Sequence, residues 1–167
     1  MKWVGVVHEV LQGPANRELI PEDKLLIEHW QNQEQNRTGY LPGLALDCHL
    51  NPTNDRNSHY FGRELLWTGR PASATKEFLR HVAMNCWPTE RAQSMIYIGD
   101  AAGQMNNPEL QVQWYTKAYM LDSSRREALI KLASFYKHNN NYQATAAYAN
   151  AALTIPWTGY YANDMSH

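Results

Sequence analysis

The chain has 167 residues, a formal net charge of −1 at pH 7, 11% aromatic residues and two cysteines. This length suits one domain or a short repeat array, and nucleic acid is a poor candidate partner because phosphate binding needs clustered positive charge. No apolar run approaches the roughly eighteen residues that span a bilayer, and a signal-peptide core is lacking. We therefore expect a cytoplasmic protein without a membrane span.

The first segment, residues 1–31, predicts a small β-ribbon. Lys2–Leu11 and Lys24–Trp30 are short runs of β-branched, aromatic and other apolar residues. The connection between them contains Gly13-Pro14 and Pro21, which make a continuous helix improbable. A lone two-stranded ribbon is only marginally stable in water. We expect it to lean on the helices, on a second copy of the chain or on something outside this chain.

Residues 32–167 predict helices. The first spans about Thr38–Leu50, with Pro42 in its first turn, and ends at Asn51-Pro52. It has no partner helix before it, so it is interpreted as a half-repeat that leads into an array. Further helices are predicted after Trp87-Pro88, after Asn107-Pro108, from about Arg125 to His138, and over Tyr142–Thr154.

The most regular unit is a helical hairpin at Tyr60–Met84. Gly62 and Ala74 are small residues that would let two antiparallel helices approach closely, and Phe78 would fill the space beside them. Gly69 is suited to end the first helix in a left-handed conformation, and Pro71 to begin the second. The pattern predicts two closely packed helices joined by a short turn.

This hairpin recurs twice along the chain. The second copy starts thirty-seven residues later and the third about thirty-four residues after that, with a turn one residue shorter. This period resembles the tetratricopeptide repeat, over roughly residues 53–156. The fold expected is therefore mainly α, a tetratricopeptide-like α–α superhelix with a small N-terminal β-ribbon. The matching positions are Gly99, Ala102, Gln111, Tyr115 and Ala118, then Ala133, Tyr136, Ala144, Tyr148 and Ala151, with Gln111 and Thr145 departing from the small-residue pattern.

The last eleven residues are unusually aromatic. Trp157, Tyr160, Tyr161 and Met165 lie after Pro156, which closes the third hairpin. Two interpretations stay open: the segment begins another helix, or its aromatic residues fold back over the exposed end of the last hairpin.

His8-Glu9 is the sharpest candidate for chemistry, because a histidine can ligate a divalent cation that a neighbouring carboxylate helps to orient. The W-x-G-x-x-H-E pattern that ends in these residues, the later Ile27-Glu28-His29 and the following helices are similar to the C-terminal part of bacterial and phage family-2 glycosyltransferases. Asn51-Pro52, the Gly62–Leu65 run and Trp114-Tyr115 also resemble the helical part of that family.

The glycosyltransferase resemblance implies that His8 helps to hold a catalytic manganese or magnesium ion, with Glu9 supporting it. It also implies that residues 1–31 are a remnant of the catalytic domain. The nucleotide-sugar-binding sheet is missing from this sequence, so the chain alone is expected to bind no cofactor and to transfer no sugar.

The function predicted is a non-catalytic interaction or acceptor-positioning module for a protein or glycan partner. One alternative is a subunit of a metal-dependent glycosyltransferase whose catalytic half is on another chain. Another is a scaffold that self-associates through the N-terminal ribbon or the aromatic tail.

Aromatic residues could line a binding groove, although packing in the core explains most of them. The histidines other than His8 are predicted to lie at the surface or at helix caps. The groove candidates are Trp67, Tyr97, Trp114, Tyr115 and Tyr136; the histidines are His29, His49, His59, His81 and His138.

Overall fold

A computed structural model describes the backbone of residues 2–4 and 10–12 and the whole of residues 40–156. Strands β1 (Lys2–Val4) and β2 (Val10–Gln12) pair antiparallel, with Trp3 opposite Leu11. The segment Lys2–Leu11, predicted as a single strand, therefore contributes to two short paired strands. The second predicted strand, Lys24–Trp30, and the boundary between residues 31 and 32 lie outside the described residues.

Helices make up almost all of residues 40–156. Seven are present in that range, and their bounds agree closely with the sequence-based prediction. They are α1 (Tyr40–Leu50), α2 (Asp55–Trp67), α3 (Pro71–Val82), α4 (Pro88–Gln104), α5 (Pro108–Leu121), α6 (Glu127–His138) and α7 (Tyr142–Thr154).

The helices form a linear array of hairpins. The pairs α2–α3, α4–α5 and α6–α7 pack together, and each hairpin packs on the next in the chain, with α1 against α2. A chain whose repeats contact mainly their sequence neighbours has the organisation of a helical-repeat protein. The tetratricopeptide-like array predicted from the spacing is confirmed.

Helix ends follow the local signals in the sequence. The side chains of Asn54, Asn107 and Asn141 each accept a hydrogen bond from the backbone N–H three residues later, at 3.0 to 3.1 Å. Gly69 ends α2 with a φ of +74°, a conformation that a glycine adopts without steric cost. Pro71 then begins α3, as the hairpin pattern predicts.

Glycines on the first helix of a hairpin lie directly against an aromatic ring of the second. A Cβ added at Gly62 would lie 2.7 Å from Cε1 of Phe78, and one at Gly99 would lie 2.6 Å from Cδ1 of Tyr115. Real Cβ atoms do not approach other atoms so closely, so only glycine leaves room for these rings. The small residues in the repeat therefore serve close helix packing.

Two apolar cores share α4. The first joins α2, α3 and α4 around Phe78 and Tyr97, and the second joins α4, α5, α6 and α7 around Ile96, Tyr115 and Leu132.

Within the described residues, no helix is long and apolar enough to cross a membrane.

Candidate functional site

A cleft of about 540 Å³, lined mainly by polar residues, opens between the C-terminal half of α4, the turn into α5, the beginning of α5, and α6. Its lining combines neutral amides and a hydroxyl with the phenyl ring of Phe135 and two oppositely charged residues, Asp100 and Lys131. Because three helices and one turn contribute to it, the cleft is a product of the array and not of a single hairpin.

The floor of the cleft is a hydrogen-bonded network that ties α4, α5 and α6 together. Lys131 Nζ donates to both carboxylate oxygens of Asp100, at 2.8 and 2.9 Å. The Tyr115 hydroxyl donates to Asp100 Oδ1 at 2.6 Å and accepts from Gln111 Nε2 at 3.1 Å. Burial raises the pKa of the Tyr115 phenol, and the neighbouring Asp100 carboxylate adds to this effect, so the hydroxyl stays protonated as a donor.

The second hairpin has a large residue, Gln111, at the position where the first hairpin has Ala74. A Cβ at Gly103 would lie 2.8 Å from Gln111 Nε2, so the space for the glutamine side chain comes from a second glycine on α4. The amide then reaches the Tyr115 hydroxyl at the cleft floor. The departure from the repeat pattern thus contributes a polar group to the cleft.

The rim of the cleft is neutral and polar. Asn106 stands in the turn after α4 with a φ of +55°, a left-handed conformation that asparagine tolerates better than most residues. On the other wall, His138 Nδ1 donates to the Ser134 carbonyl at 2.7 Å, which leaves Nε2 as its other ring nitrogen for hydrogen bonding. Asn139 Nδ2 donates to the Phe135 carbonyl at 2.9 Å.

A second polar cluster is enclosed between α2, α3 and α4. His59 Nδ1 lies 2.8 Å from Ser94 Oγ, and Ser94 Oγ lies 2.9 Å from His81 Nδ1. The serine hydroxyl carries one hydrogen, so it donates to one imidazole and accepts from the other. Burial lowers the pKa of His59 to about 3. The pKa of Glu90 is held below its usual range by the His81 imidazole, whose Nε2 is 3.8 Å from the carboxylate.

The surface or capping role predicted for the histidines is wrong at these two positions. His59, His81 and Ser94 are each 0% exposed, so the cluster offers no access to a substrate despite its acid–base chemistry. A signal was available in the sequence: His59, Gly62 and Leu66 recur at the spacing of one helical face. The two histidines are core residues joined by a buried serine.

The five predicted groove aromatics do not form one surface. Tyr97 and Tyr115 are 1% and 2% exposed and belong to the two cores. Trp114 packs against the first core, and Tyr136 stacks on Tyr148 with ring centroids 5.4 Å apart. Trp67, at the end of α2, is the exposed member, and the Arg63 guanidinium lies 4.7 Å from its ring centroid. The structure does not bring these rings together around the cleft.

His8 and Glu9 lie outside the described residues. Within the part that the structure describes, no group of three His, Cys, Asp or Glu side chains is placed to hold a metal ion. Cys48 and Cys86 are free thiols and half-buried. Burial raises the pKa of Cys48 to about 11, which keeps that thiol protonated and unreactive near neutral pH.

Comparisons with known proteins return structures but no sequence family. No family model matches the chain, and no curated protein matches it either. A crystal structure of MamA aligns with 71% of this chain, and the alignment includes 68% of the MamA chain; the sequence identity is 16% and the TM-score is 0.61. PilF from Pseudomonas aeruginosa covers 73% of this chain at 16% identity with a TM-score of 0.61, and this chain spans 57% of PilF. At this identity the likeness concerns the fold alone.

MamA and PilF are tetratricopeptide-repeat proteins, and nothing among the comparisons indicates a glycosyltransferase domain. The glycosyltransferase resemblance is therefore wrong. The interpretation of residues 1–31 as a catalytic remnant and the metal role of His8 lose the resemblance that implied them, but no observation tests either of them directly. The motifs that suggested it fit the repeat itself: Gly62 makes room for Phe78, and Tyr115 fills the space beside Gly99. The chain has the architecture of a tetratricopeptide-like helical array.

Proposed function

We propose that this chain is a protein-interaction module that binds an extended segment of a partner protein in the cleft between α4, α5 and α6. A helical-repeat interaction role agrees with the structures to which the fold is similar. The observation that carries the finer proposal is the cleft itself, in which a neutral polar rim surrounds a floor whose charges are already paired.

The rim chemistry suits a peptide backbone. An extended segment presents an N–H and a C=O group at almost every residue, and each needs a partner when it leaves water. Asn106, Ser134, His138 and Asn139 supply donors and acceptors around the opening. These groups can satisfy a backbone without requiring a particular charge on the partner.

The floor chemistry limits the kind of partner. Asp100 is occupied by Lys131 and by the Tyr115 hydroxyl, so neither charge of the pair is left to attract an ion of opposite sign. Phe135 provides an apolar wall beside them. We therefore expect a largely uncharged segment with one apolar side chain, and a weak dependence of its affinity on salt.

The test uses peptides selected from a random library on the full chain. Ser134 is exposed and lines the cleft, so Ser134→Trp is expected to fill the opening without disturbing the core. The dissociation constants of selected peptides should rise by at least about tenfold, which corresponds to about 1.4 kcal/mol of binding free energy. Fluorescence anisotropy of labelled peptides measures this.

A matched variant controls for the added tryptophan. Ser73 is an exposed serine on α3, which packs on α2 and α4 and contributes nothing to the cleft lining. Ser73→Trp should change the dissociation constants by less than about twofold. Equal effects of the two variants, or no effect of Ser134→Trp, would contradict the proposed binding site.

A further inference from the structure

The ion pair at the floor of the cleft is not saturated with hydrogen bonds. The ammonium group of Lys131 carries three hydrogens, and it donates one to each carboxylate oxygen of Asp100. Within residues 40–156, no acceptor takes the third hydrogen. One donor of the ammonium group therefore remains for a ligand.

The two carboxylate oxygens of Asp100 differ in what they still offer. Oδ1 accepts from Lys131 at 2.8 Å and from the Tyr115 hydroxyl at 2.6 Å, so both of its acceptor positions are occupied. Among the described residues, Oδ2 accepts from Lys131 alone, at 2.9 Å. The Tyr115 hydroxyl thus leaves Oδ2 as the oxygen with an acceptor position for a ligand.

Both members of the pair are accessible. Asp100 and Lys131 line the cleft, and their side chains are 20% and 32% exposed. The pair therefore presents one N–H donor and one acceptor oxygen, side by side, to whatever occupies the cleft, while its two charges cancel.

A primary carboxamide is the uncharged side-chain group that matches this arrangement. It carries an acceptor oxygen and an N–H donor on the same side, which is why asparagine and glutamine pair with neighbouring acceptor and donor atoms on the edge of adenine. A trans peptide group presents its C=O and N–H in opposite directions, so one backbone amide does not replace it. The carboxamide oxygen would accept from Lys131 Nζ while its N–H donates to Asp100 Oδ2.

Other side chains fit the pair less well. A ligand carboxylate has no hydrogen to donate, so one of its oxygens would stand against Asp100 Oδ2, where two like charges repel. A ligand ammonium group would stand against Lys131 in the same way. An apolar side chain would exclude water and leave both the donor and the acceptor without partners. The pair therefore disfavours all three.

We propose that the bound segment places an asparagine or glutamine side chain on the Asp100–Lys131 pair, with its carboxamide hydrogen-bonded to Lys131 Nζ and Asp100 Oδ2. This inference rests on the proposed peptide-binding function and adds the residue type that the cleft floor recognises. The rim groups bind backbone, which every sequence presents, so the floor is where sequence specificity arises. The apolar side chain expected beside Phe135 belongs to a neighbouring residue of the same segment.

The test uses peptides selected from a random library on the full chain, limited to those whose binding Ser134→Trp weakens. These peptides should share an asparagine or glutamine at one position. Replacing it by the matching acid, aspartate or glutamate, or by leucine or methionine should raise the dissociation constant at least about tenfold, as expected for the loss of a bidentate pair. Fluorescence anisotropy measures each peptide.

Asp100→Asn should shift the preference of the cleft, which a merely structural role of Asp100 would not do. Tyr115 and Lys131 hold the amide oxygen at the Oδ1 position, so the new NH₂ group replaces Oδ2 and presents a donor beside a positive charge. The ratio of dissociation constants, acidic peptide over amide peptide, should fall at least about tenfold. Asp55→Asn makes the same change in the first turn of α2, outside the cleft lining, and should leave this ratio within about twofold.

Failure of the inference is distinguishable from failure of the proposed function. Peptides that Ser134→Trp weakens but that share no carboxamide, or that tolerate its replacement, would overturn the inference and leave peptide binding in place. An unchanged ratio in a folded Asp100→Asn variant would overturn it as well; circular dichroism checks the fold, and the peptide series on the unaltered chain decides if the variant unfolds. No effect of Ser134→Trp on any selected peptide would overturn the proposed function, and the inference with it.

Discussion

Gly99→Ala is expected to destabilise the chain by about 2 kcal/mol, although the same change in an exposed helix usually stabilises by about 1 kcal/mol. The added Cβ would overlap the Tyr115 ring and lie 3.2 Å from the Gln111 carbonyl oxygen. The ring is buried and its hydroxyl is held by Asp100, so it cannot move aside cheaply, and overpacking of this kind costs about 1–3 kcal/mol. Urea unfolding followed by circular dichroism measures the difference.

Gly103→Ala is the matched control, since it lies on the same helix and adds the same methyl group. Its nearest neighbour is the flexible amide of Gln111, at 2.8 Å, so the free energy of unfolding should change by less than about 1 kcal/mol. Gly99→Ala should also cost less in a Tyr115→Leu background, which removes the ring. A neutral or stabilising effect of Gly99→Ala would show that the ring does not lie against the glycine.

Acid is expected to unfold the chain through the buried histidine cluster. Burial lowers the pKa of His59 from 6.5 to about 3, so between these values the unfolded chain binds a proton that the folded chain refuses. Stability is therefore complete above about pH 6.5 and is lost as the pH falls, at a slope of up to about 1.4 kcal/mol per pH unit from this group. Between pH 6.5 and 5 this amounts to about 2 kcal/mol.

Glu90 acts in the same direction at lower pH. Its pKa is held below the ordinary 4.5 by the His81 imidazole, so its contribution to stability is present above about pH 4.5 and is lost as the pH falls further.

Urea unfolding at several pH values between 6.5 and 5 isolates the effect of His59. His59→Asn should flatten the slope in that interval, whereas His138→Asn, at an exposed position, should leave it unchanged. An unchanged slope in His59→Asn would contradict the assignment.

Local signals in the sequence predicted the helices well. Asn107 followed by Pro108 marks the start of α5, and Tyr142–Thr154 was predicted with both ends as observed. These signals act over one or two turns, through caps, fixed φ angles and apolar periodicity, so they can be read without knowing the rest of the fold. The glycine–aromatic spacing added the hairpins, because Gly62 and Phe78 belong to adjacent helices of one short unit.

The candidate site could not be predicted in the same way. Asp100 and Lys131 are thirty-one residues apart and meet only because α6 stacks on the preceding hairpin. His59 and Ser94 are separated by thirty-five residues and also belong to different hairpins. Contacts between hairpins depend on how the hairpins stack. The repeat pattern in the sequence predicts the packing of the two helices within one hairpin, but it does not predict which polar side chains of neighbouring hairpins meet.

The aromatic residues show where composition misleads. A high aromatic content suits both a binding groove and a packed core, and the structure buries Tyr97 and Tyr115 in the cores. Short motifs misled in a related way, since Trp114-Tyr115 resembled part of an enzyme family but marks a core ring and its neighbour. A small residue opposite the ring, such as Gly99, is the feature that separates the two interpretations.

The central claim is that the cleft between α4, α5 and α6 binds a partner segment. It is tested most directly by recording the backbone amide resonances of the isotopically labelled full chain with and without a selected peptide. The account predicts that the largest shifts fall at Asn106, Gln111, Ser134 and His138, which line the cleft. Shifts confined to the exposed outer faces of α3 and α7, with the cleft resonances unmoved, would contradict it.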